Sequence, residues 1–555
     1  MPGLTEIPAN AADLVKSLKA KKIQFDIDPD KLLTALKKQK IVEPPLSQEP
    51  IDLQLSIQAL KPAIKRFHGA KVSLGWFPGP ALRSPCANKF GYMSTKKIRD
   101  ATKLPFDAAT TTLLAQLGAA MADPARASGP DSAMPAGFTY VGQFVDHDVT
   151  LDVSSAIDAP TDATTIHNMR SPSLDLDSVY GRGPALDPFL YEFPATGPDS
   201  AIKMQLGKNT NTGPGGPGGP AGFGGMVAQT NWDVPRINAT SDTALLGDPR
   251  NDENLIVSQF HHAMLRFHNK VVDMLLLAPP PGDIFVEAKR IVTHHYQWAV
   301  VKDYLKRICG TPAVNAAMAV VSAPLGSVFA MPVEFSVAAY RFGHSQIRNN
   351  YWVNFNFINA SLAQVFEFIR EPRLPVFSSW VVDMNAFFDT GIVVPVHNKA
   401  KKIDSVLAPG LNSLPGFPAA MAALATRNLR RGQAMGLPSG QGMAKMFGLT
   451  ALTEVQLKTG LPVAEVALLD ANGGLLKKKT PLWYYILREA MVLESGEKLG
   501  PVGGRIVAET FARMLKRDAD SFVNAAPAFA PSLPSVAVGD FTFADLVKFA
   551  GVTNP

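Results

Sequence analysis

Cysteine and charge are both scarce in this sequence, and each scarcity excludes a class of protein. Only two cysteines occur in 555 residues, Cys86 and Cys309, and they lie far apart in the chain. This excludes a disulfide framework and a cysteine-based zinc site, although a single disulfide between them stays open. Charged residues make up 18% of the chain and hydrophobic residues 46%, a balance typical of a compact folded protein.

The sequence also lacks a concentrated block of basic charge. The formal net charge is only +6, and the basic residues are spread along the chain, so we expect no nucleic-acid partner. The densest basic stretch, residues 16–40, alternates lysines with Leu and Ile at helical spacing. This pattern favours the solvated faces of short helices, with a membrane-surface helix as the alternative.

A long uninterrupted apolar run is absent as well. The most apolar stretch, residues 313–333, is interrupted by Asn315, Pro324 and Gly326, which predicts buried core or a packed loop and no membrane span. The N-terminus lacks the charged start and apolar run of a secretory signal. We therefore expect a protein that is cytoplasmic or exported by a non-classical route, and its oligomeric state stays unknown.

Helical periodicity dominates what the sequence does contain. Residues 251–278 and 283–310 carry apolar side chains at helical intervals, and Gly310 suits a C-terminal cap. Strictly alternating runs are few and short, and the Gly- and Pro-rich segment 207–225 can form only a loop. The sequence predicts a mainly α fold with minor β hairpins and long loops.

Prolines divide the beginning of the chain into short pieces. Pro44, Pro45, Pro50 and Pro62 interrupt its helical candidates. We therefore expect residues 1–80 to form an N-terminal extension of helices and loops, and residues 81–555 to form the main domain.

The first polar cluster is the stretch "GQFVDHDVTLD", residues 142–152. On a helix, Gln143 and His147 project from one face with Asp146 beside them, while Asp148 points roughly 100° away from His147. An amide, a carboxylate and an imidazole on one face suit acid–base chemistry. Local capping or pairing of polar residues is the alternative.

The second cluster, "SPSLDLDSVYG", places oxygen-bearing side chains at alternate positions. Ser171, Ser173, Asp175 and Asp177 would lie on one side of an extended loop, an arrangement that a hard cation such as calcium requires. Asp148 can complete such a site from the neighbouring helix. A turn rich in Ser and Asp that holds no ion is the competing interpretation.

Two further clusters contain single residues suited to chemistry. Asp248 and Pro249 mark a helix start, with Arg250 and Glu253 three residues apart in its first turn; an ordinary ion pair is the alternative. His344 follows a glycine in the aromatic segment "AAYRFGHSQI". It is either a metal ligand or a core histidine with satisfied hydrogen bonds.

Together the four clusters resemble, in content and order, the animal-type haem peroxidases of the peroxidase–cyclooxygenase superfamily, which includes the mammalian myelo- and lactoperoxidases. The resemblance spans about residues 138–440 and includes a fifth element, "RNLRRGQAMGLP", residues 427–438. It implies the helical fold of that family, haem b and calcium as cofactors, and hydrogen peroxide as a substrate. It also implies small electron donors, namely halides, pseudohalides or phenols. The missing disulfides and signal peptide fit a prokaryotic member.

The resemblance assigns a role to residues in every element. His147 would be the distal base, Gln143 would orient water, peroxide or halide, and Arg250 would stabilise the departing oxygen. His344 would bind the haem iron, and Asn428 would accept a hydrogen bond from its other ring nitrogen. The remaining matched positions are those that pair with haem propionates (Arg341, Arg431) and those that bind calcium (Asp148, Ser171, Ser173, Asp175, Asp177).

Two carboxylates match the residues that form ester bonds to haem in mammalian members. They are Asp146 and Glu253, so the resemblance implies an ester-linked haem. The residue after Glu253 is Asn254, where myeloperoxidase has a methionine that forms a sulfonium link. We therefore expect at most two links and a weaker capacity for chloride oxidation. Asp177 replaces the usual serine, which adds negative charge to the calcium loop.

Three other functions are alternatives to that of a haem peroxidase. A fatty-acid dioxygenase or cyclooxygenase uses a tyrosine three residues before the proximal histidine; that position is Arg341 here, and Tyr340, one residue earlier, would point roughly 100° away on an α-helix. A non-catalytic haem- and calcium-binding protein would not require the full distal set. A hydrolytic metal site at residues 146–148 fails because successive helix positions cannot converge on one ion.

Overall fold

The computed structural model of the chain describes residues 88–125, 129–153, 155, 157–192, 203–209, 231–237, 243–367, 375–414 and 422–553. All of them belong to one compact unit. The predicted extension 1–80 with its basic stretch, Cys86, and most of the Gly- and Pro-rich segment lie outside the described residues.

Helices provide most of the regular structure in this part of the chain, which confirms the predicted fold class. In chain order the α-helices are α1 (Lys96–Thr102), α2 (Ala108–Met121), α3 (Gly137–Val149), α4 (Asp177–Tyr180), α5 (Leu255–Leu277), α6 (Ile284–Ala299), α7 (Leu305–Cys309), α8 (Thr311–Val320), α9 (Leu362–Glu367), α10 (Leu424–Ala434), α11 (Gly440–Phe447), α12 (Glu454–Lys458), α13 (Val463–Lys478), α14 (Leu482–Glu494), α15 (Pro501–Arg517) and α16 (Phe543–Phe549). Four shorter or tighter helices matter for the site: the 3-10 helices Pro249–Asp252 and Ala339–Gln346, and the π-helices Val300–Tyr304 and Glu334–Ala338.

The strands are short and pair two by two. They are β1 (Lys89–Gly91), β2 (Asp131–Pro135), β3 (Tyr191–Glu192), β4 (Lys203–Met204), β5 (Ala330–Pro332), β6 (Asn350–Tyr351), β7 (Ala360–Ser361) and β8 (Lys399–Lys401). Strand β1 runs parallel to β5, with Phe90 opposite Met331, and β2 runs antiparallel to β8. These two pairs tie together distant segments of the chain, whereas β3–β4 and β6–β7 join nearer ones.

The two long helices that the sequence predicts are both present, with local refinements. The segment after Asp248 first forms the 3-10 turn, and α5 then begins at Asn254, whose side chain accepts a hydrogen bond from the Val257 amide at 3.0 Å. Helix α6 continues through the π-helix Val300–Tyr304 into α7, which ends at Gly310 with φ of +82°. Glycine adopts this left-handed conformation without a steric penalty, as the predicted cap requires.

The apolar stretch 313–333 differs from its prediction. It forms most of α8, a loop and β5, and the side chains of Val320, Leu325 and Val328 are exposed. The stretch is therefore largely surface helix and loop, not buried core. Within the described residues, no helix combines the length and the apolar character needed to cross a membrane.

Helix α3 lies in the core, where it packs against α5. The Phe144 ring meets the edge of Phe260 at a centroid distance of 5.2 Å and that of Tyr296 at 6.1 Å. The predicted apolar stripe of α5 is buried along its length, and His261 and His268 beside it are buried as well. Burying such side chains contributes about 1.5–3 kcal/mol each, which holds α3 and its polar residues in a fixed place.

Candidate active site

Helix α3 presents its polar residues at one end of a large cavity. The cavity has an empty volume of about 900 Å³, which includes space open to solvent, and mainly apolar side chains with a few polar groups line it, as is typical of sites for small molecules and cofactors. Gln143 and Asp146 line it from α3, and Glu253 and Asn254 line it from the turn before α5. The predicted sharing of one helix face by Gln143 and Asp146 is thus observed.

The end of α3 is held by a charged side chain from a distant segment. The guanidinium of Arg250 donates to the carbonyl oxygens of His147 and Thr150 at 3.0 and 2.8 Å, and its Nη2 lies 2.7 Å from Asp248 Oδ2. Carbonyls at a helix C-terminus lack partners within the helix and favour a nearby cation. In this structure Arg250 pairs with Asp248, rather than forming the ion pair with Glu253 that was the alternative interpretation.

His147 lies immediately behind the cavity wall. It is fully buried, its Nε2 is 3.8 Å from Glu253 Oε1, and its Nδ1 donates to Asn251 Oδ1 at 2.8 Å. Burial, reinforced by the positive charge of Arg250, lowers the pKa of His147 to about 3. The imidazole is therefore neutral at ordinary pH and carries the lone pair that a general base needs.

The Glu253 carboxyl links His147 to the cavity. Gln143 donates its side-chain amide to Glu253 Oε1, and Asn254 Nδ2 donates to Gln143 Oε1 at 3.1 Å. Burial raises the pKa of Glu253 well above its usual value, and burial raises that of Asp146. Both carboxyls that the resemblance links to haem thus line the cavity under conditions that favour their neutral form.

His344 lines the same cavity from the 3-10 helix Ala339–Gln346. Burial lowers its pKa well below the usual value, so this imidazole is also neutral. A Cβ built on Gly343 would meet no atom within 4 Å, which leaves open space beside His344. A neutral imidazole has the lone pair that a metal ligand needs.

Asn428 contacts His344, as the sequence predicts, but the hydrogen bond runs in the opposite direction. The amide nitrogen Nδ2 lies 2.7 Å from His344 Nδ1, so the amide donates to the ring. The prediction has Asn428 accepting from this nitrogen. A half-turn of the amide about its Cβ–Cγ bond exchanges oxygen and nitrogen with little change of position, and a metal on Nε2 would require that setting.

A second, smaller cavity of about 430 Å³ shares Asp146 and Arg341 with the large one. It is lined also by Arg250, Arg431 and Asp152, and Arg431 forms an ion pair with Asp152. Burial lowers the pKa of Arg341, and Arg431 and Arg250 lower it further because like charges repel. Three guanidiniums line this space, of which Arg250 and Arg431 are paired with Asp248 and Asp152, and they are the groups that an anionic ligand would contact.

The acidic loop forms the predicted cluster on the far side of α3. Carboxylate oxygens of Asp148, Asp175 and Asp177 lie within 4.8 Å of one another, and Ser171 Oγ donates to Asp175 Oδ2 at 2.7 Å. Ser173 lies between Ser171 and Asp175 in the sequence and is half-buried, as they are. Burial raises the pKa of Asp177 to about 7, and burial with repulsion from the other two carboxylates raises that of Asp148.

This acidic cluster connects to Arg250 through residues that sequence reasoning missed. Arg170 is buried and bridges Asp177 at 3.2 Å and Asp248 at 2.7 Å, and Asp248 in turn holds Arg250. Sequence patterns mark Asp248 only as a helix start and give Arg170 no role, and the bridge exists only because the loop and the turn before α5 fold together. The Asp248-Pro249 helix start was the only signal available.

Tyrosines at the cavity were also missed or misplaced. Tyr304, from the π-helix, lines the cavity, and a Cβ on Gly142 would lie 2.5 Å from its hydroxyl, so only glycine admits this approach. Tyr340 lines the cavity as well, stacked on Phe335 at 4.6 Å. The predicted rotation of Tyr340 away from the site assumes an α-helix, whereas this segment passes from a π-helix into a 3-10 helix.

Comparisons with known proteins show the family and the fold of the chain. The sequence model of the family "Animal haem peroxidase" matches residues 151–527; the match includes the acidic loop, Arg250, His344 and Asn428 and begins just after α3. A dual oxidase of Drosophila melanogaster is 26% identical over 291 residues, which are 50% of this chain and 18% of that protein. The chain thus spans about a fifth of the length of this relative.

Two solved structures share the fold. Peroxidase A from Dictyostelium discoideum superposes with a TM-score of 0.51 and 16% identity, over 85% of this chain and 92% of that one. A fatty acid alpha-dioxygenase of Oryza sativa superposes with a TM-score of 0.53 and 13% identity, over 92% and 91%. At such identities the likeness concerns the fold alone.

Proposed function

Because the chain belongs to the animal haem peroxidase family, we propose that it is a haem peroxidase that reduces hydrogen peroxide and oxidises small donors. The observation that carries this proposal is the cavity itself, with the neutral imidazole of His344 on one wall and His147 immediately behind another. Iodide, bromide, thiocyanate and phenols are the donors that we would test first.

The residues around the cavity fit a haem. His344 would hold the iron with Asn428 behind it, and Arg341 and Arg431 would face the propionates in the smaller cavity. A bound haem supplies the electrons that reduce peroxide. The protein supplies a neutral base in His147, which accepts a proton from one peroxide oxygen and returns it to the other. Gln143, from the cavity wall, would orient the peroxide.

Arg250 contributes in two ways under this proposal. Its positive charge lies next to the distal helix and favours the negative charge that develops on the departing oxygen. Its hydrogen bonds to the His147 and Thr150 carbonyls hold the end of that helix. We also propose that Asp146 and Glu253 form ester bonds to the haem, because both carboxyls line its cavity.

Peroxide treatment of the haem-loaded protein is expected to make the pigment resistant to extraction with acidified organic solvent. In D146N and in E253Q one link is lost, and in the double variant all haem should extract, because an amide cannot replace the carboxyl as ester donor. Mass spectrometry of the denatured chain measures the linked haem. A matched control is E465Q, another buried glutamate far from the cavity, bonded to the Tyr484 hydroxyl at 2.6 Å. Pigment that still resists extraction in the double variant would argue against ester links through these residues.

We further propose that Asp148, Asp175 and Asp177, with Ser171 and the backbone of Ser173, bind calcium. Three carboxylates within 4.8 Å repel one another, and oxygen donors of this kind are the ligands that calcium prefers. A bound ion would relieve this repulsion and would fix the loop against α3.

Adding calcium to chelator-treated protein is expected to raise the melting temperature by several degrees. Binding at a hundredfold excess over Kd contributes about 2.7 kcal/mol, and D175N should abolish the rise. D470N, which removes a carboxylate paired with Lys458 on the surface, should keep it. An equal rise with sodium at matched ionic strength would indicate charge screening and contradict a calcium site.

A second candidate, oxygenation of a fatty acid, is favoured by one observation. Tyr340 and Tyr304 line the cavity beside His344, and Leu362, Leu411 and other apolar side chains complete its wall. An apolar chain would fit such a lining, and a fatty acid alpha-dioxygenase shares the fold.

One experiment separates the candidates. The haem-loaded protein is mixed with hydrogen peroxide and iodide, or with palmitic acid and oxygen, and peroxide loss and oxygen uptake are recorded. Peroxide loss coupled to iodide oxidation supports the peroxidase, and oxygen uptake that Y340F abolishes supports the dioxygenase. A haem spectrum without either activity would leave a non-catalytic haem-binding protein.

A further inference from the structure

Three buried side chains form a hydrogen-bonded chain that leads away from the cavity. His147 Nδ1 is 2.8 Å from Asn251 Oδ1, and Asn251 Nδ2 is 3.0 Å from His261 Nδ1. None of the three side chains is accessible to solvent. The chain ends at His261, whose Nε2 has no hydrogen-bond partner among the described residues.

The Asn251 amide lies between the two rings, and its orientation determines which nitrogen of each ring carries the proton. A neutral imidazole has one N–H and one lone pair, and an amide accepts through oxygen and donates through nitrogen. Because Oδ1 of Asn251 faces His147, the His147 proton lies on Nδ1 and its Nε2 keeps the lone pair. That nitrogen is on the side of Glu253, at 3.8 Å from Oε1, where the cavity lies.

The amide could reverse this assignment by a half-turn, which would present Nδ2 to His147. His147 would then carry its proton on Nε2 and could donate to the cavity but not accept from it. In the observed setting His261 Nδ1 accepts from Asn251 Nδ2, and a half-turn of the amide would require the His261 proton to move to Nδ1 as well. The tautomer of His261 is therefore coupled to that of His147 through Asn251, which lies between them.

We propose that Asn251 and His261 are positioning residues that keep His147 in the tautomer whose Nε2 accepts a proton at the cavity. This inference rests on the proposed function for its catalytic meaning, since it makes His147 the proton acceptor. The tautomer itself is a property of the protein that can be measured without any cofactor.

The first test reads the tautomers directly by NMR. The full-length chain is labelled with 15N at the ten histidines, and the His147 and His261 signals are assigned from H147Q and H261L. We expect the His147 proton on Nδ1 and the His261 proton on Nε2. A wild-type His147 protonated on Nε2 overturns the proposal.

The second test replaces Asn251 or His261 with leucine, whose side chain has a similar volume but forms no hydrogen bond. N251L and H261L are expected to give His147 a mixed or reversed tautomer. Asparagine places its oxygen where a histidine has Nδ1, so H261N keeps an acceptor for Asn251 Nδ2 and is expected to restore the wild-type tautomer. H268L is the matched control, because His268 is buried on the same helix and bonds the Tyr180 hydroxyl at 2.9 Å.

Kinetics of the haem-loaded variants separate positioning from simple structural damage. The second-order rate constant for peroxide should fall about tenfold in N251L and H261L, part of the roughly 10²–10⁴-fold that proton transfer contributes. Donor oxidation at saturating peroxide should keep the wild-type rate. An equal fall of both rates, or a wild-type tautomer in N251L, overturns the proposal. If the wild type has the expected tautomers but consumes no peroxide, the proposed function fails and the positioning role of Asn251 stands.

Discussion

Replacing His344 with glycine is expected to abolish tight haem binding, and added imidazole is expected to restore it. Among the residues that line the large cavity, His344 is the one with an imidazole. Its neutral form gives the ring a lone pair for a metal, and its side chain lines the cavity. Glycine removes that ligand without adding bulk, and free imidazole can enter the space that the side chain leaves.

The measurement is a titration of haem into the protein, followed by the visible absorption spectrum with and without imidazole. The loss of affinity in H344G should exceed the roughly 10–100-fold that removal of a supporting residue costs, and N428A provides that comparison. H397G is the control, because His397 is an exposed histidine whose Nδ1 bonds the Asn385 carbonyl at 3.1 Å and which does not line the cavity. Wild-type affinity and spectrum in H344G would rule out His344 as the iron ligand.

The sequence predicts those parts of the site that depend on local spacing. Gln143 and Asp146 share a helix face because 3.6 residues complete a turn, and Asp148 leaves that face for the acidic loop for the same reason. Helices α5 and α6 follow from apolar periodicity, and Gly310 caps α7 as predicted, whereas the predicted start at Asp248 and Pro249 belongs to the 3-10 turn and Asn254 caps α5. Periodicity and capping are local properties, so they can be read from the chain alone.

Features that depend on tertiary contacts could not be predicted in this way. Arg170 joins Asp177 to Asp248, which are about seventy residues apart in the sequence, and no local pattern shows that these side chains meet. Asn251 looks like an ordinary turn residue until α5 brings His261 against it. Each of these contacts follows from packing between segments, which spacing along one segment does not determine.

The prediction that Tyr340 points away from the site assumes an α-helix, which this segment does not form. The helical wheel turns by 100° per residue in an α-helix, but a 3-10 helix turns by about 120° and a π-helix by less. Residues 334–346 combine both, so the wheel misplaces the side chain. Tyr340 therefore lines the cavity together with His344, and experiment must decide between the peroxidase and the dioxygenase function.

Replacing His147 with leucine is expected to lower the second-order rate constant for peroxide by about 10²–10⁴-fold, or about 2.7–5.4 kcal/mol of activation free energy, while haem binding is retained. Leucine fills a similar volume but offers no lone pair, so the proton of the bound peroxide has no acceptor at this position. His147 does not line the large cavity and is not the proposed iron ligand, so the haem spectrum should stay close to that of the wild type. Stopped-flow absorption at increasing peroxide concentration gives the rate constant.

The control is H262L, because His262 is a buried histidine of α5 that bonds the Asn231 carbonyl at 2.9 Å and does not face the cavity. Glu253 is the rival base, since its Oε1 is 3.8 Å from His147 Nε2 and its carboxyl lines the cavity. Burial raises the pKa of this carboxyl well above its usual value, which favours the protonated form and so weakens the case for Glu253 as the proton acceptor. If H147L keeps the wild-type rate and E253Q loses it, the base is Glu253, and the protein carries out its chemistry with a carboxylate instead of an imidazole.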